Sequence, residues 1–175
     1  MLGAFNARIA PFNINYRYSA EELRYLLTDA KAAGLIFHSC FAPILQQIRG
    51  DLPWLKVLLQ VPDSSHHPLL DGAEWYNSAC STESGHLPIE LDEARSPEDL
   101  CILYTGGTTG RPKGVLWRQC DLWVAALGGR SPKSTEEIQQ YEAISLGSAS
   151  GGTRLLSSAP FMHGAAQWLA FTAFG

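Results

Sequence analysis

Short apolar segments with the length of β-strands alternate along this chain with segments of helical periodicity. The strand-like segments are LIFHS (35–39), KVLLQV (56–61), DLCILYT (99–105) and TRLLSSAP (153–160). Between them lie segments in which apolar residues recur at the spacing of one helical face. Alternation of strands and helices predicts an α/β fold, with a mostly parallel sheet flanked by helices.

The best-defined predicted helix lies in YSAEELRYLLTDAKAAG (18–34). Ser19 and Glu22 have the spacing of a capping box, in which each side chain accepts a backbone N–H of the other residue. Gly34 is predicted to end this helix, because glycine readily adopts the left-handed conformation found at helix C-termini. Further helices are expected in residues 1–10, 41–50, 73–80, 120–127, 134–144 and 163–174.

The charge pattern argues against two classes of partner. The formal net charge is -4 and the sequence pI about 5.7. No nucleic-acid partner is therefore expected, since such proteins usually carry a basic patch. The Lys and Arg residues are scattered, which also argues against a polybasic membrane-binding surface.

The four cysteines predict neither a metal site nor a disulfide framework. No pair has C-x-x-C spacing, and the histidines do not fall at zinc-ligand spacing from them. A reduced, cytoplasmic protein is the simpler interpretation. No signal peptide is recognisable, and no transmembrane helix is expected, because the best apolar segment (165–174) is shorter than the ~18 residues that a span needs.

A loop rich in glycine and threonine follows the strand-like segment at 99–105. The stretch LYTGGTTGRPKGVLW (103–117) contains four glycines, which permit close backbone approach to a ligand and positive φ angles. Its backbone N–H groups and threonine hydroxyls can form a concave anion site, and Lys113 adds a positive charge. The residues predict a phosphate-binding loop, and the alternative is a glycine-rich surface turn.

This loop does not match the standard nucleotide-binding patterns. In the Walker pattern G-x-x-x-x-G-K-[ST], the second glycine would fall at Pro112, and Gly114 stands where Ser or Thr is required. A helix begins at the Walker lysine, whereas GVLWR (114–118) has the pattern of an extended segment. The dinucleotide pattern G-x-G-x-x-G is absent, and GSASG (147–151) fails as a hydrolase motif because Ala149 stands at the nucleophile position.

The segment YTGGTTGRPKG (104–114) resembles the signature of the adenylate-forming enzymes, which include acyl-CoA synthetases, luciferases and peptide-synthetase adenylation domains. Gly106 stands where serine is commonest in that signature. NINYRYSAEELRYLLTDAKA (13–32) and APFMHGAAQW (159–168) resemble further segments of the family, and the best resemblance is to fatty-acyl and steroid-side-chain CoA ligases. The signature residues that match are Thr108, Thr109, Gly110, Pro112, Lys113 and Gly114.

The resemblance implies an ATP-dependent acid–thiol ligase. Its carboxylic acid substrate would react with ATP to give an acyl-adenylate and pyrophosphate, and coenzyme A would then take the acyl group. Lys113 and His163 would be catalytic, and Thr105 would help to hold Mg²⁺. The resemblance assigns ATP binding to Thr105, Gly106, Gly107, Thr108, Thr109, Gly110 and Lys113.

The residues around the downstream segment each have two interpretations. By resemblance, His163 lies near the acyl carboxylate and the thiol, whereas the alternative is a buried structural histidine at a helix start. Trp168, Phe161 and Met162 would line the acyl pocket or would simply belong to the core.

Several segments of the resembled family are not found in these 175 residues. They are the Y-G-x-[ST]-E and T-G-D segments and the C-terminal domain with its catalytic lysine. We therefore expect residues 1–175 to form part of the large N-terminal domain, to be unable to complete adenylation alone, and to self-associate through exposed apolar surface. The alternative is a non-catalytic nucleotide- or partner-binding remnant of the same fold. A medium or long acyl chain, or a sterol side-chain acid, follows from the resemblance alone.

Overall fold

The structure, a computed structural model, describes residues 1–81, 96–106, 110–126, 129–130, 136–138, 142 and 154–174. The chain divides into two compact units. Residues 17–89 form the unit that we call the sheet unit, and residues 1–16 together with 90–175 form the hairpin unit.

Most of the predicted elements are present. The helices are α1 (Leu2–Asn6), α2 (Ala20–Asp29), α3 (Ala42–Ile48), α4 (Tyr76–Cys80), α5 (Gln119–Ala126) and α6 (Gly164–Phe174). The strands are β1 (Gly34–His38), β2 (Val57–Val61), β3 (Glu74–Trp75), β4 (Leu100–Thr105) and β5 (Lys113–Arg118). Short 3-10 turns at Ser39–Phe41 and Arg49–Asp51 flank α3. None of the helices in the described ranges is long and apolar enough to cross a bilayer.

The sheet unit contains a parallel sheet in the order β1-β2-β3. Gly34 pairs with Val57 and His38 with Val61, and β3 adds two pairs to the other edge of β2. Its core combines leucines of α2, which share one helical face, with apolar residues of α3 and the following loop. These buried residues are Leu23, Leu26, Leu27, Leu45, Ile48, Leu52 and Leu55.

The start of α2 confirms the predicted capping box, but its end differs from the prediction. The Glu22 N–H donates to Ser19 Oγ, and the Ser19 N–H donates to Glu22 Oε2 at 2.8 Å. The helix ends at Asp29, and the left-handed residue is Lys31, with φ of 47°. Gly34 instead begins β1, where a Cβ would lie 3.4 Å from the Val57 side chain. The predicted helix stop at Gly34 is therefore wrong.

Two predicted elements in the last third of the chain also differ. Residues 154–160, the described part of the predicted strand at 153–160, form no strand, and the chain bends before Pro160, which has no N–H to donate. Of the predicted helix at 134–144, the described residues 136–138 are not helical, because Glu137 bridges Arg130 and the Ile138 N–H donates to the Gly129 carbonyl at 2.8 Å. Glu142, the other described residue of that segment, is helical, and the rest of the segment lies outside the described residues.

In the hairpin unit, β4 and β5 form an antiparallel pair, not a parallel one. The seven residues that separate Thr105 from Lys113 are too few for a crossover between parallel strands. Beneath the hairpin, Cys101, Leu122 and Ala126 form a buried cluster. Met1, Phe5, Trp117 and Trp168 pack around that cluster and close the core of this unit.

Candidate functional site at the mouth of the hairpin

The glycine- and threonine-rich loop connects the two strands of the hairpin. Thr105 and Lys113 are the last pair of the ladder and directly face each other across it. Both residues are exposed, and Thr105 Oγ1 lies 3.5 Å from the Lys113 carbonyl oxygen, beyond the usual range of about 2.5–3.0 Å for O–H···O hydrogen bonds. The hydroxyl is thus weakly held, and an ammonium group and a hydroxyl flank the loop on opposite strands.

The described glycines of the loop leave open space beside the backbone. At Gly106 and Gly110 a Cβ would meet no described atom within 4 Å, and Gly110 has φ of 136°, a conformation that other residues rarely adopt. Gly107, Thr108 and Thr109, which the sequence also assigns to phosphate binding, lie outside the described residues. The described ends of the loop therefore leave room for a ligand, and the phosphate-binding role of the loop stays a prediction.

Gly114 has a packing role that the motif did not reveal. A Cβ at Gly114 would lie 3.1 Å from Tyr104 Cζ and 3.1 Å from Ile102 Cγ2. On its other side, the Tyr104 ring packs against Phe12 with ring centroids 5.5 Å apart. The absence of a side chain at Gly114 thus lets the tyrosine ring cross the hairpin directly beneath the loop. The chain continues as β5 after Lys113, so the expected difference from a Walker loop is confirmed.

Three ion pairs, made by two arginines, fix the opposite end of the hairpin. Arg8 makes a bidentate contact with Asp99, with Nη2–Oδ1 at 2.8 Å and Nε–Oδ2 at 2.9 Å, and these hydrogen bonds lower the pKa of the Asp99 carboxyl. Arg118 makes a similar contact with Asp121, which lowers the pKa of Asp121, and also reaches Glu98. The loop therefore projects from a hairpin that is anchored at its base.

Side chains along β4 alternate between the two faces of the hairpin, so one row of them runs along a single face towards the loop. Cys101, Leu103 and Thr105 share this face, because side chains of a strand alternate between its two sides. A Cβ at Gly164, the first residue of α6, would lie 3.1 Å from Leu103 Cδ1. The start of α6 therefore packs against Leu103, which lies two residues, or about 7 Å along the strand, before Thr105 on the same face.

His163 immediately precedes this contact. It is exposed, its N–H donates to the Pro160 carbonyl at 3.0 Å, and its own carbonyl accepts the Ala166 N–H at 3.2 Å. The exposure contradicts the alternative of a buried structural histidine. His163 thus directly precedes the residue whose Cβ would contact Leu103, on the β4 face that also carries Thr105.

The apolar residues near His163 are assigned from the sequence either to an acyl pocket or to the core, and the structure separates them. Trp168 packs edge-on against Trp117, with ring centroids 5.1 Å apart, and joins the core cluster. Core packing therefore accounts for Trp168. Phe161 is 59% exposed, whereas Met162 is half-buried, so neither is a fully buried core residue.

The described residues do not by themselves form a magnesium site. Among them no three His, Cys, Asp or Glu residues lie together, and Thr105 offers one neutral hydroxyl. Octahedral Mg²⁺ takes about six oxygen ligands and is usually held by carboxylates together with substrate phosphates. The predicted role of Thr105 in metal binding therefore lacks the other protein ligands it would need.

Comparison with known proteins gives this geometry a family context. The family model described as AMP-binding enzyme matches residues 1–175. The medium-chain acyl-CoA ligase Mig of Mycobacterium avium is 48% identical over 174 residues, which are 99% of this chain and 31% of that protein. The 3-oxocholest-4-en-26-oate–CoA ligase of Rhodococcus rhodochrous is 32% identical over 98% of this chain and 31% of its own length. The chain thus spans about a third of the length of these relatives.

Two solved structures resemble the fold. An anthranilate CoA ligase, AuaEII, in complex with anthranoyl-AMP matches 70% of this chain and 24% of its own, with a TM-score of 0.53 and 31% identity. A red-emitting luciferase from Phrixothrix hirtus matches 99% of this chain and 31% of its own, with a TM-score of 0.65 and 22% identity. The luciferase likeness concerns the fold alone.

Proposed function

Since this chain belongs to the AMP-binding enzyme family, we propose that it supplies the phosphate-binding loop and His163 to an ATP-dependent acyl-CoA ligase. In the proposed reaction, a substrate carboxylate attacks the α-phosphorus of ATP and releases pyrophosphate. The thiol of coenzyme A then attacks the acyl carbon, loses its proton and releases AMP. The observation that carries the proposal is the mouth of the hairpin, where exposed Lys113 and Thr105 face each other at the two ends of the glycine-rich loop.

The loop residues would act on the triphosphate. Lys113 can place its ammonium against phosphate oxygens, while the open positions at Gly106 and Gly110 allow backbone N–H groups to approach them. Thr105 would add a hydroxyl donor. Preorganised donors of this kind stabilise charge that develops on the phosphates during transfer, without reorganisation of the site.

His163 would act on the acyl side of the same mouth. Its exposed imidazole lies at the start of α6, which packs on the β4 face that ends at Thr105. We propose that it positions the carboxylate or the thiol next to the phosphates. Phe161, also exposed, offers an apolar surface suited to an acyl chain.

The names of the relatives support a substrate class. They specify medium- or long-chain fatty acids and a sterol-derived acid. We propose a carboxylic acid of this kind, and we propose Mg²⁺ as a companion of ATP, with Thr105 as at most one of its ligands. All four cysteines are free thiols, which supports a reducing, cytoplasmic location.

The first experiment measures ATP affinity of the 175-residue chain by calorimetry. Lys113→Ala removes a charge-assisted contact, and the expected loss is on the order of 10- to 100-fold in Kd. The matched control is Lys56→Ala, which removes an exposed lysine of the sheet unit and should leave Kd unchanged. Equal ATP affinity of the wild type and Lys113→Ala would remove the loop from the proposed site.

The second experiment tests His163 in a complete enzyme. Residues 1–175 would replace the matching segment of the Mycobacterium avium ligase, to which they are 48% identical. In this chimera His163→Ala should lower acyl-CoA formation at least tenfold, whereas His38→Ala, in the sheet unit, should not. Full activity of His163→Ala would refute its role, and robust pyrophosphate release by the isolated chain would refute our expectation that it cannot complete adenylation alone.

A further inference from the structure

An extended segment near the start of the chain, Pro11–Asn13, runs beside β4. The Ile102 N–H donates to the Pro11 carbonyl at 3.1 Å, and the Cys101 thiol approaches the same oxygen at 3.7 Å. The next residue, Phe12, packs its ring against Tyr104, one position before Thr105. Backbone and side-chain contacts therefore tie this segment, which we call the strap, to the strand that carries the loop.

The third residue of the strap reaches the segment that carries His163. Asn13 Nδ2 donates to the Phe161 carbonyl at 2.7 Å. The same oxygen accepts a second bond, from Gln167 Nε2 at 2.7 Å, and Gln167 is only 3% exposed. Because a carbonyl oxygen has two lone pairs, these two amides use its full capacity and fix it from two directions.

The fixed carbonyl lies in the turn that leads into α6. Phe161 is two residues before His163, and the turn closes where the His163 N–H donates to the Pro160 carbonyl. Removing either amide would leave this oxygen with one partner and free the turn to move. A misplacement of about 1 Å at a reacting group can cost on the order of 100-fold in rate.

We propose that the strap couples the phosphate loop to His163, and that Asn13 and Gln167 are positioning residues for that histidine. The proposal rests on the proposed function, in which His163 acts beside the phosphates. Phe12 and Pro11 hold the strap on β4, while Asn13 and Gln167 hold the Phe161 carbonyl. The distance between the two halves of the site is thereby set by the strap.

The first test uses the 175-residue chain and hydrogen–deuterium exchange. Asn13→Asp replaces the donor with a carboxylate that faces the Phe161 carbonyl, and it should speed exchange of the amides in 160–167 several-fold. Exchange in α2, which belongs to the sheet unit, should stay unchanged. The matched control, Asn6→Asp, makes the same substitution at an exposed residue of α1. Unchanged exchange in 160–167, or equal acceleration throughout the chain, would overturn the proposal.

The second test is a double-mutant cycle in the chimeric ligase. Asn13→Asp and, separately, Gln167→Met should lower kcat at least tenfold while the KM for ATP changes less than about twofold. In the His163→Ala background neither substitution should lower kcat further, because their effect acts through His163. Purely structural damage would instead add to the effect of His163→Ala.

The outcomes separate this proposal from the proposed function. A His163→Ala chimera with full activity contradicts the proposed function, whatever the strap variants do. Loss of activity in His163→Ala, combined with full activity or additive losses in Asn13→Asp and Gln167→Met, contradicts the strap alone. Gln167→Met replaces the amide with an apolar side chain of similar length, so a folded variant is expected even though the residue is buried.

Discussion

Gly114→Ala tests whether the glycine after the loop lysine is required by packing. The added Cβ would lie 3.1 Å from Tyr104 Cζ, 3.3 Å from its hydroxyl oxygen and 3.1 Å from Ile102 Cγ2. The tyrosine ring cannot simply retreat, because its other side packs against Phe12. The hairpin must therefore shift by a few tenths of an ångström to accept one methyl group.

The expected magnitude follows from two opposing contributions. Overpacking in a well-packed region costs about 1–3 kcal/mol. Replacing glycine with alanine at a compatible backbone conformation gains about 0.4–1 kcal/mol, because the unfolded chain has less freedom to lose. The middle of the first range less the middle of the second gives a net destabilisation of about 1.3 kcal/mol, which corresponds to a fall in Tm of roughly 3–5 °C for a chain of this size.

Thermal unfolding followed by circular dichroism measures this effect. Gly106→Ala is the matched control, because a Cβ there meets no described atom within 4 Å, and it should change stability by less than about 0.5 kcal/mol. In a Tyr104→Ala background the cost of Gly114→Ala should fall, since one of its two contacts is gone. A Tm for Gly114→Ala equal to or above the wild type would refute the packing argument.

Two further predictions concern the rest of the molecule. Arg8 lowers the pKa of Asp99, so this pair contributes stability above the unfolded carboxyl pKa of about 3.9, and that contribution is lost as pH falls through and below this value. Asp99→Asn should therefore lower the urea midpoint of unfolding at pH 7 but not at pH 2. An equal loss at both pH values would contradict the ion-pair origin of the effect. The sheet unit exposes two apolar side chains on neighbouring strands, Ile36 (59% exposed) and Val57 (53% exposed). We predict that the chain self-associates in light scattering, that Ile36→Lys reduces this self-association, and that Lys56→Ala does not. A wild-type chain that stays monomeric at all concentrations would contradict the prediction.

Local chemical signals in the sequence were sufficient for most of the fold. Ser19 and Glu22 located the start of α2 because a capping box needs only neighbours within one helical turn. The strands at 34–38 and 57–61 were visible as short apolar runs. The end of α2 could not be located from the sequence, because Lys31 adopts the left-handed conformation that the prediction gave to Gly34.

Errors arose where the outcome depends on distant residues. The apolar pattern of 153–160 resembles a strand, but a strand also needs a neighbouring edge, and residues 154–160 have none in the part of the chain that the structure describes. The antiparallel pairing of β4 and β5 was predictable in principle, because so short a loop excludes a parallel crossover. The alternation of strands and helices elsewhere favoured the parallel interpretation.

The candidate site shows the same division between local and long-range information. The loop composition identified Thr105 and Lys113 as phosphate-binding candidates, and the register then placed them opposite each other. The bond between Asn13 and the Phe161 carbonyl joins residues 148 positions apart, and no local pattern signals it. Gln167 lies within an apolar helical segment, and no local pattern signals that its buried amide bonds to the same oxygen.

The proposed phosphate loop is carried by a hairpin, and this has a consequence that a Walker loop lacks. In a strand ladder, the side chains beside the loop alternate between the two faces of the hairpin, so the position of a residue determines the face on which its side chain lies. Thr105 and Lys113 share the face on which α6 begins, while Tyr104 and Gly114 share the other. A shift of one residue in the pairing would turn the side chains of one strand to the opposite face, so Thr105 and Lys113 would no longer face each other on the side where α6 begins. Such a shift would also place a residue with a side chain opposite Tyr104, at a position where a Cβ would lie 3.1 Å from the ring. Gly114 therefore favours the observed register, and the register decides which side chains share a face at the mouth of the hairpin.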